Sequence, residues 1–287
     1  MHYEKKVKTF GFVNVDKPSG VTSSFVVNKI KRLTGQPCGH MGTLDPMASG
    51  VLPVGVGNAT RLFEYFLQKR KTYIAEFLFG VDSDTLDVTG ELIIQGSIPT
   101  EEEIKAVIPS LVGTVMQMPP KYSAKNVGGK RGYELARAGV EFELEPKRVE
   151  IFSISLLGKG EREHSYRFEI DCGGGTYIRS IARDMAKALH TFGVMSALRR
   201  TKSGAFEIAN AIPVDGLTEE NIENCIVKTQ EFLPFESIFV KENSRIFNGL
   251  TERIELPDGE YKIFQGENFY GIGEVKNGLL KTKTKLC

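Results

Sequence analysis

Gly39-His40-Met41-Gly42-Thr43-Leu44-Asp45-Pro46-Met47-Ala48-Ser49-Gly50 is the stretch on which the reading of this chain turns. From Leu33 to Thr60 the one side chain charged at neutral pH is Asp45, set among small, apolar and turn-forming residues, His40 counting as neutral. A carboxylate among apolar neighbours is costly to keep ionised unless hydrogen bonds or a cation stabilise it, so the stretch requires a partner from elsewhere in the chain. The local alternative is a helix cap, with Asp45 at the N-cap and Pro46 at the first helical position. On these twelve residues alone the cap is the commoner use of Asp-Pro.

Upstream, Thr9 to Val15 alternates as a short strand that runs into the turn composition Asp16-Lys17-Pro18-Ser19-Gly20. Thr22-Ser23 then caps a helix with Val26, Ile30 and Leu33 on one face, and Gly35 ends it. Downstream, a short helix is expected from Ala59 to Gln68, burying Leu62, Phe63, Phe66 and Leu67. The next segment, Lys71 to Phe79, reads as a strand whose period of two places Tyr73, Ala75, Phe77 and Phe79 on one face.

Asp82-Ser83-Asp84-Thr85-Leu86-Asp87 resembles a calcium loop only superficially, since Leu86 occupies the fifth position and no glycine the sixth. It reads as turn chemistry. Thr100 and Glu103 form a capping box for a helix carrying Ile104, Val107, Ile108 and Leu111. After a short strand at Thr114 to Met118, the segment Pro119 to Arg131 is basic, punctuated by Gly and Pro, and carries Tyr122. Such a segment is either a solvated loop or an RNA contact, with cations on phosphates and an aromatic ring on a base.

Two strands, about Arg148 to Leu157 and His164 to Asp171, lead into Gly173-Gly174-Gly175-Thr176-Tyr177-Ile178-Arg179-Ser180. This glycine corner opens a helix and is not a G-x-G-x-x-G dinucleotide signature. Ile178, Ile181, Ala182, Met185 and Leu189 form its buried face, and Arg179, Arg183 and Lys187 another. Arg179 lies in the first turn, where a cation opposes the helix dipole, so something outside the helix has to stabilise it. A buried carboxylate such as Asp45 would do so. Leu198-Arg199-Arg200-Thr201-Lys202 is a second basic cluster. From about Phe235 the chain turns to short β segments, with Pro257-Asp258-Gly259 and Lys276-Asn277-Gly278 as hairpin turns. About fifty residues are marginal as an independent domain, so this module is expected to pack on the main body.

The 287 residues are 41% hydrophobic and 25% charged with a formal net charge of +1, the profile of a globular protein rather than of a strongly basic nucleic-acid binder. Local basic patches remain open at that balance. Four separated cysteines (Cys38, Cys172, Cys225, Cys287) form no C-x-x-C pair, which argues for reduced thiols and against a zinc knuckle or disulfide framework. The charged start and the absence of a long apolar run point to a cytoplasmic protein without a membrane span.

Taken together, the Asp16-to-Gly20 turn, the Gly39-to-Gly50 loop, Lys71-Thr72-Tyr73, the Asp82-to-Gly90 loop, Gln117 to Arg137, Gly174 to Arg179 and Leu198-Arg199-Arg200 resemble the TruB family of tRNA pseudouridine synthases, in family order. The resemblance implies an α+β pseudouridine synthase fold: a mixed, mainly antiparallel sheet flanked by helices over residues 1–235, and a PUA-like RNA-binding β module over 236–287. It implies isomerisation of the T-loop uridine at tRNA position 55 without metal or organic cofactor. Asp45 becomes the catalytic carboxylate, Arg179 its ionic partner and Tyr73 the ring that stacks on the uracil. Leu198 supplies an apolar wall, Tyr177 packs near Asp45, and His40 fills the stack vacated by the flipped base. Lys17, with Pro18, supports the Asp45 loop. Lys130, Arg131, Arg199, Arg200 and the C-terminal lysines become phosphate contacts to the T arm. A monomer without a protein partner is expected. Two other classes fit parts of the pattern: a noncatalytic tRNA-binding or folding factor, and a hydrolase or phosphotransferase pairing Asp45 with Asp82 or Asp84.

Overall fold

The computed structural model describes residues 10–67, 69–123 and 125–286, with the side chains of Val127 and Arg131 outside the description. The strands of the main sheet are β1 (Gly11–Lys17), β2 (Cys38–His40), β3 (Ser49–Val56), β4 (Lys71–Phe79), β5 (Gly113–Gln117), β6 (Lys147–Lys159), β7 (Ser165–Cys172), β8 (Gly193–Ser203), β9 (Phe206–Glu207) and β10 (Ile212–Pro213). Their order is β10-β1-β3-β8-β4-β7-β6-β5, with β2 beside β3 and β9 beside β8. Among the described residues the β1–β10 and β3–β8 pairs are parallel and the other pairs antiparallel, so the sheet is mixed and mainly antiparallel.

Three helices cover one face: α1 (Ser23–Thr34), α2 (Glu101–Leu111) and α3 (Ile178–Ala188). Val26 and Ile30 of α1, Ile104 of α2, and Ile181, Ala182 and Met185 of α3 share a core with Val13, Leu52, Ala75, Phe77 and Phe168. The helix ends follow local chemistry. Thr22 accepts from Phe25 N at 3.0 Å, Gly35 closes α1 at φ +63°, and Thr100 with Glu103 forms the reciprocal capping box. In place of one helix from Ala59, Gly57–Leu62 is a 3₁₀ segment followed by a single turn, Glu64–Leu67. Thr9 and Gln68, the outer ends of two expected elements, lie outside the described residues.

The other face of the sheet, where Phe12 and Val51 point, carries a second cluster with Leu62, Phe66, Phe206 and Leu233. Phe269, Ile272 and Leu286 of the C-terminal module complete that cluster. The module is a five-stranded sheet in the order Ser237–Val240, Gly259–Gln265, Asn268–Lys276, Leu279–Lys285, Glu252–Arg253. Asn277 and Gly278, both at positive φ, make the expected hairpin turn. Pro257-Asp258-Gly259 does not, because the strand before it pairs with Leu279–Lys285 rather than with the strand after it. Asp258 instead accepts a hydrogen bond from Asn277 N.

Gly50 marks the tightest crossing. It sits at φ +102° opposite Arg200 in the parallel β3–β8 pair, and a Cβ there would fall 2.2 Å from the Arg200 carbonyl oxygen. Gly50→Ala should therefore lower stability by about 3 kcal/mol, combining left-handed strain with a backbone clash. Urea unfolding would show this as a lowered midpoint at constant slope; a midpoint within error of the wild type would mean that β3 and β8 separate at no cost.

Candidate active site

Polar groups strap the Asp45 loop to the turn between β1 and α1. Lys17 Nζ, fully buried, donates to the carbonyls of Val21 (2.7 Å), Pro18 (2.9 Å) and Pro46 (3.3 Å). Gly20 N also donates to Pro46 O, and Ser19 Oγ to Met47 O. The buried Ser23 hydroxyl donates to Leu44 O and accepts from Leu44 N, each at 2.9 Å. From the opposite side Arg200, 1% exposed, donates to Val51 O at 2.7 Å and Gly42 O at 3.0 Å. A turn and then β3 follow Asp45, so the helix-cap reading fails. The carboxylate is left free for another use.

That use is an ion pair with Arg179, the second residue of α3. Arg179 Nε lies 3.0 Å from Asp45 Oδ2, and Nη2 donates to Asp45 Oδ1 at 3.2 Å. The guanidinium has three further acceptors: Thr85 O and Tyr122 O, each at 2.9 Å, and Asp87 Oδ2 at 3.4 Å. Three hydrogen bonds from Nη1 and Nη2 and ion-pair contacts to two carboxylates thus surround the guanidinium, which is how a 6% exposed arginine is tolerated. Asp87 is itself fixed through Oδ1, which accepts from Thr85 Oγ1 and Thr89 N, each at 2.9 Å.

Burial raises the Asp45 pKa above the usual aspartate value, and the Asp87 charge adds to the rise. Arg179 and Lys17 oppose it. Burial likewise draws Lys17 and Lys71 down to about 8. Lys71 Nζ donates to the Leu67 and Lys69 carbonyls. The Tyr73 phenol is raised by burial, and the His40 imidazole is lowered by burial and by Arg200.

Asp45 opens onto a cavity of about 340 Å³. Tyr73, Tyr177, Arg179, Leu198 and Arg200 line it with Asp45, as do Lys71 and Ser123. Strand register explains part of this grouping. Tyr73 pairs with Arg200 and Ala75 with Leu198 across β4 and β8, so Leu198 and Arg200 share a face while Arg199 takes the other. Tyr177 is positioned by Gln117 of β5, whose amide accepts from Tyr177 N at 2.8 Å and donates to Tyr177 O at 3.1 Å.

The expected phosphate contacts divide. Arg200 is corrected: it is enclosed and holds loop carbonyls, so it is not a surface cation. Arg199 is partly exposed but pairs with Asp16 at 2.8 Å. Lys130 is exposed on the Asn126–Arg131 hairpin, and the side chain of Arg131 lies outside the description. Lys276, Lys281, Lys283 and Lys285 are exposed, with Lys283 paired to Glu260. His40 stands on β2, its Nδ1 buried and unpaired among the described residues. Pro18 is exposed in the turn that holds the loop. Asp82 and Asp84 do not meet Asp45, and no group of three potential metal ligands occurs among the described residues. Sequence reasoning passed over Asp87, treated as turn chemistry, and Lys71. The signal for Asp87 was the donor count of Arg179, which one carboxylate cannot satisfy.

Two family models match consecutive stretches of the chain from residue 31 to residue 239. A TruB family pseudouridylate synthase (N terminal domain) model covers residues 31–178, and a tRNA pseudouridylate synthase B C-terminal domain model covers 179–239. The chain belongs to the TruB family. The tRNA pseudouridine synthase B of Caulobacter vibrioides is 39% identical over 94% of each chain, and that of Clostridium kluyveri 37% over 93% of this chain and 96% of its own. The Aquifex aeolicus protein of the same name is 34% identical over 96% of this chain and 99% of its own. A chain of the archaeal box H/ACA sRNP Nop10–Cbf5 complex shares the fold, with a TM-score of 0.68 at 22% identity over 100% of this chain and 89% of that one.

Because the charge of Asp87 helps hold Asp45 high, Asp87→Asn should lower the Asp45 pKa. Carboxyl-carbon NMR titration of the two proteins would read the shift directly. An Asp45 pKa that stays put or rises in the variant would remove Asp87 from the electrostatics of the site.

Proposed function

We propose that this chain is a tRNA pseudouridine synthase that isomerises the T-loop uridine at position 55. The observation that carries the reading is Asp45: the carboxylate that lines the cavity, contacted by two nitrogens of a buried arginine, with a tyrosine on the same wall. Relatives named tRNA pseudouridine synthase B match over nearly their whole length, which supports the synthase part of the reading.

The reaction breaks the N1–C1′ bond, turns the base and joins C5 to C1′. N1 gains a proton and C5 loses one, so the atoms balance without an oxidant or reductant. Asp45 acts on the ribose, as nucleophile or as base, and both roles require the ionised form. Arg179 keeps that form oriented while the cavity excludes water. Tyr73 stacks on the uracil, and its phenol, kept neutral by burial, helps remove the C5 proton late in the reaction as a relay, accepting that proton as it passes its own on. Leu198 and Tyr177 bound the base. Flipping the nucleotide costs a few kcal/mol, and His40, neutral because its pKa is lowered, fills the gap left in the stack.

Residues 1–235 form the catalytic domain, and residues 236–287 a PUA-like module that contacts RNA. Lys130, Arg131, Arg199 and the C-terminal lysines meet T-arm phosphates, whereas Lys17 and Arg200 act through the Asp45 loop. The enzyme works as a cytoplasmic monomer.

Tritium release from a tRNA transcript carrying C5-tritiated uridine, with EDTA present, tests the reading. Wild type should release tritium from the T loop, and Asp45→Asn should release none while its tRNA affinity stays within a few-fold, because phosphate contacts dominate binding. Parallel loss of binding and turnover would make Asp45 a binding residue instead. Since the ionised carboxylate is required and its pKa is raised, activity should fall on acidification at a higher pH than for an unperturbed aspartate. Arg179→Lys should slow turnover on the order of 100-fold, because a point charge cannot serve five acceptors. Turnover near the wild-type rate would show that the planar fork is dispensable.

A further inference from the structure

Strand β6 begins at Lys147, and alternation places that side chain in the same row as Val149 and Ile151, which are buried. The row ends at Lys147, where the strand pairs with Gln117, the residue that positions Tyr177. Lys147 is exposed, yet its ammonium lies over the glycine corner that opens α3: a Cβ added at Gly175 would fall 2.6 Å from Nζ. Gly175 lines the cavity onto which Asp45 opens, so the ammonium stands at the mouth of that cavity. Its charge is felt inside, since it adds to the burial and the Arg200 charge that lower the Lys71 pKa.

The other cations at the cavity differ from it in one respect. Lys71, Arg179 and Arg200 have their donors turned to protein: Lys71 to the Leu67 and Lys69 carbonyls, Arg200 to those of Gly42 and Val51, and Arg179 to Asp45, Thr85 and Tyr122. Lys147 Nζ makes no hydrogen bond and no ion pair among the described residues. A full positive charge with three donors is thus left at the mouth. Gly175, at φ +85°, keeps side-chain atoms out of the gap between that charge and the cavity.

We propose that Lys147 binds a backbone phosphate flanking the target uridine once the base has entered the cavity. This inference rests on the synthase reading above. A nucleotide whose base lies in the cavity leaves its sugar and two phosphates at the mouth, each phosphate with a negative charge and oxygens that accept hydrogen bonds. An ammonium is a compact charge with rotatable donors, which suits a phosphate met from one side. Such a contact reads no sequence; it fixes where the backbone of the flipped nucleotide stands against Asp45. The backbone keeps its place while the base turns, so the contact favours bound substrate and transition state alike and acts on KM rather than on kcat.

Affinity for T-arm hairpins, measured with the full-length protein, tests this. Lys147→Ala should weaken binding roughly tenfold at low salt and reduce the slope of log affinity against log salt by about one. The single-turnover rate of tritium release at saturating enzyme should stay within twofold of wild type, and Lys147→Arg should bind as wild type does. Lys159→Ala removes an exposed lysine at the other end of β6 and should change affinity less than twofold. Two further hairpins carry a neutral methylphosphonate in place of the phosphate on the 5′ or the 3′ side of the target uridine. One of them should bind wild type roughly tenfold more weakly, and on that hairpin Lys147→Ala should lose no more than twofold again. Equal losses from Lys147→Ala on all three hairpins, or a loss no larger than that of Lys159→Ala, would overturn the proposal. So would a tenfold slower single-turnover rate at saturation, which would give the lysine a part in the chemistry. Wild type that binds the hairpins but releases no tritium would overturn the synthase reading instead, an outcome separate from the affinities, which do not depend on turnover.

Discussion

Everything at the site hangs on one buried guanidinium. Arg179 occupies the first turn of α3, the end of a helix where a positive charge is least welcome. Two carboxylates and two carbonyls make the position tolerable, and they come from three separate segments: the loop before β3, the Thr85–Asp87 turn and Tyr122. The arginine thus acts as a template on which these segments assemble. One cation against two carboxylates leaves the cluster with a surplus negative charge, so the pair does not simply neutralise itself, and burial with Asp87 can outweigh Arg179 in setting the proton affinity of Asp45.

The other buried cations follow a different electrostatic rule. Lys71 and Arg200 line the cavity and Lys17 straps the Asp45 loop, and the recorded hydrogen-bond acceptors of all three are backbone carbonyls rather than acids. Carbonyl dipoles satisfy the donors without cancelling the charge, and burial then makes the two amines easier to deprotonate. The arrangement ties loops down at the polar atoms they would otherwise leave open.

Much of this was legible in the sequence where one periodicity or one local rule decides the outcome. Strand β4 and the inward set Tyr73, Ala75, Phe77 and Phe79 follow from alternation, and the α1 and α2 caps from Thr22 and Thr100. The Asp45–Arg179 pair was legible as two unsatisfied charges, each in the wrong surroundings. Arg199 and Arg200 were misread as a surface pair although alternation forbids neighbours in a strand from sharing a face. Asp87 was hidden among three similar acids in a turn, where only the tertiary position of Arg179 distinguishes it. The Pro257-Asp258-Gly259 turn has hairpin composition but joins strands that do not pair, since pairing partners are set by the whole sheet and not by the turn.

The second face of the main sheet is closed by the far end of the chain. Leu286 and Phe269 lie against Phe12 and Val51, Asn58 donates to Leu286 O, and Arg61 to Lys285 O. During synthesis the central strands are made long before the residues that cover them. The nascent sheet keeps that side partly open until residues 269–286 have been made, so closure of the second core waits on sequence far downstream of the strands it covers.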